Sequence, residues 1–154
     1  MAWETVQEAF RSDGALRDLY VFDTTAADWD AVLTALPGWG YRTEYSVDGV
    51  PRELPGPAEQ AFAVRPDAAS LMAVQVDSVR LNSHFFSEAE IEFDLNPAEV
   101  RGAVEFSAVT QFMARVGQTL KKPVVLTLEN MREAVIVKYT PGQDQFDYHE
   151  VTWE

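Results

Sequence analysis

The chain predicts an α+β fold: a largely antiparallel sheet packed against two principal helices, about residues 25–36 and 97–120, with a short helix at the N-terminus. Three observations carry this expectation. Apolar residues recur at helical spacing in two long stretches. Elsewhere they alternate with polar residues at strand spacing, and turn dipeptides break the chain at short intervals. The 154 residues suit one domain, 1–154, with no linker or low-complexity segment dividing it. With 47% hydrophobic side chains, a chain of this length builds a core without covalent staples.

Taken in order, Trp3, Val6 and Phe10 mark the short first helix, which ends near Gly14. Residues 15–22 read as a strand. Thr25 stands three residues before Asp28 in the manner of a capping box, and Trp29, Val32, Leu33 and Leu36 then trace one helix face up to Pro37-Gly38. From Trp39 to Val47 the chain alternates, and Trp39, Tyr41, Thr43, Tyr45 and Val47 are expected to face a core. Pro51, Pro55 and Pro57 make residues 50–57 a loop or ragged edge, the best place for a partner-contacting loop. Residues 58–64 fit no single template, and Pro66 to Ser70 reads as a turn.

Three strands follow, at 71–76, 79–86 and 89–95. Asn96 caps a helix with Pro97 at its first position, although Gly102 interrupts the pattern. Phe106, Val109, Phe112, Met113, Val116 and Leu120 form its apolar stripe. Lys121 and Lys122 suit its C-terminal dipole, and Pro123 stops it. Residues 124–129 and 134–140 predict a hairpin pairing Leu128 with Val135, Leu126 with Val137 and Val124 with Tyr139. A last strand is expected at 146–153. Both main helices precede strand-rich segments, but no residue pattern repeats between the halves.

The formal charge is −13, from 25 acidic and 12 basic side chains. The excess lies in residues 1–100, with 18 acids and 6 bases, whereas residues 101–140 are net basic. Such a field repels phosphate backbones and anionic lipid surfaces, so neither nucleic acid nor membrane is an expected partner, and a basic protein is. The chain has no cysteine, which removes disulfides and thiolate chemistry. Nothing at the N-terminus resembles a signal peptide, and a cytoplasmic location is expected.

One constellation suggests a site. A three-residue loop at Ser87–Ala89 would pair Phe85 with Ile91, Ser83 with Phe93 and Leu81 with Leu95, sorting apolar from polar side chains. The opposite face then gathers Arg80, Asn82, His84 and Phe86 against Glu90, Glu92 and Asp94, with His84 opposite Glu92 and Asn82 opposite Asp94. Three carboxylates and an imidazole at cross-strand distance have the chemistry to dock a basic partner, hold a divalent cation or transfer protons. Its plainest reading is the wet face of an antiparallel sheet.

Other motifs fail. His149-Glu150 lacks the second histidine of a zinc-protease helix, and two histidines without cysteine cannot complete a tetrahedral zinc site. No phosphate-binding glycine loop, nucleophile elbow or calcium loop is present, and no cofactor is expected. The leading expectation is a non-enzymatic binding protein, comparable in charge and size to small acidic inhibitors and immunity proteins. A carboxylate-based metal-dependent hydrolase and a structural subunit of a homo-oligomer are the competing readings.

Overall fold

The computed structural model describes residues 2–64 and 67–151. Its fold is α+β, built on one antiparallel sheet of nine strands among the described residues. The strands are β1 (Arg17–Phe22), β2 (Arg42–Val47), β3 (Val50–Arg52), β4 (Ser70–Val76) and β5 (Val79–Ser83), then β6 (Glu90–Leu95), β7 (Val124–Leu128), β8 (Met131–Thr140) and β9 (Gln145–Tyr148). Their spatial order is β3-β2-β4-β5-β6-β1-β7-β8-β9. The helices are α1 (Ala2–Val6), α2 (Ala26–Ala35), α3 (Glu59–Ala63) and α4 (Ala103–Leu120).

The core lies between the sheet and the two long helices. Leu19 and Val21 of β1, Leu81 of β5, Ile91 and Phe93 of β6 and Leu126 of β7 meet Trp29 and Val32 of α2 and Val109, Phe112 and Met113 of α4, all buried. Each such side chain removed from water contributes about 1.5–3 kcal/mol. Trp39 and Tyr41 pack on Phe112, and Tyr45 on Phe85, so the alternating stretch does face the core. The capping box at Thr25 forms: its Oγ1 accepts from the Asp28 N–H, and Asp28 Oδ2 accepts from the Thr25 N–H at 3.0 Å.

Arg17 is a charged exception inside this layer, 1% exposed. Its Nε donates to Ala9 O at 2.6 Å, Nη1 to Leu16 O at 3.0 Å and Nη2 to Arg11 O at 3.1 Å, with Asp13 as counter-ion at 3.3 Å. One planar fork thus ties together the 3₁₀ turn at Gln7–Phe10, through Ala9 O, and the segment that leads from it into β1, through Arg11 O and Leu16 O.

Several expectations change in detail. The helix expected over 97–120 is two pieces: a 3₁₀ turn at Pro97–Glu99, capped by Asn96 Oδ1, and then α4 from Ala103. Gly102, extended at φ −171°, takes the N-cap position and separates them. Residues 124–140 pair as expected at Val124–Tyr139 and Leu126–Val137, but Thr127 takes Val135 and Leu128 takes Met131. Two register shifts, at Leu126/Thr127 and at Thr127/Leu128, absorb the difference, so β8 begins at Met131 inside the expected loop. Lys122 does not stay at the end of α4: its Nζ reaches Asp23 O at 2.7 Å and Asp28 Oδ2 at 2.8 Å, tying that end to the start of α2. Burial alone would raise the Asp28 carboxyl, but Lys122 and the Thr25 N–H outweigh it and hold the group below its ordinary value. Residues 50–52 join the sheet as an edge strand in which Pro51 faces Ser46. The turn expected at 66–70 and the strand expected at 146–153 each extend partly outside the described residues. Within them, Ser70 already belongs to β4 and the last strand is Gln145–Tyr148.

Candidate functional site: the acidic sheet face

The register of β5 and β6 is the predicted one where the strands pair, with Asn82 opposite Asp94. Alternation buries Ile91, Phe93 and Leu95 on the helix side and leaves Glu90, Glu92 and Asp94 half-buried on the other. The loop beyond is longer than predicted. β5 ends at Ser83, and Phe85 adopts the left-handed conformation (φ 55°). For an aromatic residue this costs about 1–2 kcal/mol. Burial of the ring offsets it, because Phe85 lies 5.1 Å from Trp29 and 5.7 Å from Phe62 between ring centres. Phe85 is therefore a core plug and not a strand partner of Ile91.

This reversal places His84 and Phe86 side by side on the open face, stacked at 5.1 Å, with Phe86 59% exposed. His84 Nε2 pairs with Asp94 Oδ2 at 3.3 Å, and not with Glu92 as the longer-strand register implied. Trp29 Nε1 donates to Ser87 O at 3.2 Å and Thr24 Oγ1 to Glu88 O at 2.7 Å, which fixes the loop.

On the far side of β6 lies β1, whose register sets Asp18 opposite Asp94, Tyr20 opposite Glu92 and Phe22 opposite Glu90. Asp18 and Tyr20 are 4% and 2% exposed. The tip of the β7–β8 hairpin closes over them: the Asn130 N–H donates to Asp18 Oδ2 at 2.8 Å, and the Leu16 N–H to Glu129 Oε1 at 3.0 Å. The Tyr20 hydroxyl donates to the same Asp18 oxygen at 3.1 Å. From the next residues of β8, Arg132 reaches Glu90 Oε1 at 2.6 Å.

Packing this much acid into one face has an electrostatic consequence. Burial, reinforced by Asp18, Glu90 and Asp94, pushes the Glu92 carboxyl up to about 6, with hydrogen bonding from Tyr20 offsetting part of the rise. Burial also raises Asp18, against the Asn130 N–H, and Asp94, against His84. Burial and then the Asp18 and Glu92 charges raise the Tyr20 phenol.

Of the six predicted residues, Asn82, His84 and Asp94 are joined across the β5–β6 pair, and His84, Glu90 and Glu92 line one cleft with Arg132. Arg80 turns along its own strand, donating from Nε to Asn82 Oδ1 at 3.1 Å. A cleft of about 140 Å³ opens between Trp29, His84, Phe86, Glu90, Glu92 and Arg132, and Asp94 is not among its walls. Larger concavities lie elsewhere, one of about 750 Å³ along α4 beside Tyr41 and Arg115 and one of about 640 Å³ near Arg52 and Arg80. Among the described residues no three His, Asp or Glu side chains are grouped so as to hold a metal ion, and no helix is long and apolar enough to cross a membrane.

Sequence reasoning missed Asp18, Tyr20, Phe22 and Arg132. The alternation Asp18, Tyr20, Phe22 marks one side of β1, but nothing in it announces that β6 is the neighbour. Arg132 fell in a stretch read as loop. No protein-family model, curated protein or solved structure matches the chain significantly.

Proposed function

We propose that the protein is a non-enzymatic binding module that receives a basic segment of a partner protein on the acidic face of its sheet. The supporting observation is Glu92, a half-buried carboxylate raised to about 6 among Asp18, Glu90 and Asp94. Burial is the main cause of that rise and the neighbouring acids add to it, so a cation delivered to this face offsets both the lost hydration and the repulsion. The overall charge of −13 steers such a partner from a distance. The metal-dependent hydrolase reading draws less support: His84, Glu90 and Glu92 line the cleft, but Asp94 stands outside it, and among the described residues no three such side chains are grouped so as to hold a metal ion.

A labelled lysine–arginine peptide, titrated by fluorescence anisotropy at low and physiological salt, tests this. The Glu92→Gln/Asp94→Asn variant is expected to lose about tenfold or more in affinity. A charge-matched control, Glu8→Gln/Glu59→Gln on exposed helical positions, is expected to lose less than about threefold. Equal losses would mean that only net charge matters, and the proposed face would be abandoned. Pull-downs from lysate at the same two salt concentrations then identify the natural partner.

A further inference from the structure

Arg132 shows what kind of cation the face accepts. Its guanidinium carbon lies 5.2 Å from the ring centre of Tyr20 and 5.2 Å from that of Phe22. These two rings are themselves stacked at 5.1 Å with 21° between their planes. Nη2 meets Glu90 Oε1 at 2.6 Å. Two π faces and a carboxylate at right distance are chemistry suited to a flat, forked, weakly hydrated cation, and less to a compact ammonium.

Arg132 also stands at the margin of the sheet. It sits in the exposed segment Met131–Glu133 at the start of β8, next to the register shifts, and its side chain is 57% exposed while that of Glu90 is 19% exposed. The clamp is built into β1 and β6, whereas its occupant comes from a hairpin tip. Further along the same face stand the His84–Phe86 stack and Glu92, so one subsite continues into the acidic group already described.

We infer that Tyr20, Phe22 and Glu90 form an arginine subsite, which the chain's own Arg132 fills in the free protein and an arginine of the basic partner takes on binding. This rests on the reading of the face as a receiver for a basic partner, and it adds the identity of the recognised side chain. Charge complementarity alone would make lysine and arginine segments equivalent. Ring stacking separates them.

The decisive variant is Arg132→Lys, which leaves the net charge unchanged and, at an exposed position, is expected to keep the fold, as checked by circular dichroism. An oligo-arginine and an oligo-lysine peptide of equal length are titrated against wild type, Arg132→Lys and Glu90→Gln. Weakening the internal occupant is expected to tighten the arginine peptide about fivefold and to move the lysine peptide less than twofold. Glu90→Gln is expected to bring the two peptides close to parity. Equal shifts of both peptides in Arg132→Lys would overturn the arginine subsite. The wider reading of the face would survive that result, provided Glu92→Gln/Asp94→Asn still lost more than its charge-matched control. Should that difference also vanish, both fall.

Discussion

Glu92 is held where a carboxylate is costly. Glu90 and Asp94 flank it on its own strand face, Tyr20 stands across from it, and Asp18 lies one place along. Its folded value of about 6 exceeds its ordinary 4.5, so the folded state binds the proton more tightly than the unfolded chain does. The linkage follows directly. Between those two values stability falls as pH rises, and above about 6 the full cost is present. A shift of this size corresponds to about 2 kcal/mol, or about 1 kcal/mol once solvent screening of a half-buried group is allowed for. Glu92→Gln is therefore expected to stabilise the protein by about 1 kcal/mol at pH 7.5, with the gain fading toward pH 4.5, as read by urea unfolding at both values. A loss of stability at pH 7.5 would show instead that the carboxylate is well satisfied. An acid that weakens the fold at neutral pH is the pattern expected where function and stability compete. That Glu90, Glu92 and Asp94 share a side was legible from period-two alternation. That Asp18 joins them was not, because alternation assigns a side but never a neighbour.

Helix α4 and strand β8 approach each other through Gly117. A Cβ placed there would lie 2.6 Å from Cδ2 and 2.8 Å from Cε2 of Tyr139. The ring cannot retreat easily, since Tyr139 is fully buried and its hydroxyl donates to Asp144 Oδ1 at 2.6 Å. Alanine would improve helix propensity by about 1 kcal/mol, whereas overpacking of a tight contact costs about 1–3 kcal/mol. Packing wins, and Gly117→Ala is expected to destabilise by about 1–2 kcal/mol. In the double variant with Tyr139→Leu the two losses should fall short of additivity by about 0.5 kcal/mol or more; strict additivity would place the cost elsewhere. The stripe from Phe106 to Leu120 made α4 readable, and so did the stop at Pro123. Its start was misplaced because Asn96-Pro97 does cap a turn, but one that ends at Glu99 before Gly102 reopens the chain. Likewise the Asn82–Asp94 pairing followed the apolar sorting, but the left-handed Phe85 did not, since a buried ring satisfies that sorting in either backbone conformation. The irregularity that precedes Arg132 is equally invisible to a pattern of twos, since it moves the register by four residues between Leu126–Val137 and Leu128–Met131.

At the scale of the molecule, the sheet order is what creates the face. β1 (Arg17–Phe22) sits between β6 (Glu90–Leu95) and β7 (Val124–Leu128), so a segment near the start of the chain divides two strands from its second half. Local pairing, turn chemistry and periodicity do not encode that insertion, and only the long-range burial of β1 on both sides reveals it. The consequence is a concentration of charge in a molecule already at −13. Among the described residues its ion pairs are few against that charge: Arg42–Glu44 at 2.8 Å is exposed on both sides and such pairs contribute about 0–1 kcal/mol each, whereas Arg132–Glu90 and Lys122–Asp28 are partly buried. Self-repulsion among the unpaired acids should then outweigh attraction at neutral pH. Salt discriminates between the two. Raising the ionic strength from about 0.01 M to 0.15 M shortens the screening length from about 30 Å to about 8 Å, which weakens repulsion across the whole molecule more than attraction within close pairs. The melting temperature at pH 7.5 is expected to rise with sodium chloride over that range by several degrees. The rise should shrink near pH 4.5, where protonation has removed much of the charge. A melting temperature that fell with salt at pH 7.5 would mean that close ion pairs dominate the electrostatics, and the long-range field invoked to steer a basic partner would be too weak for that role.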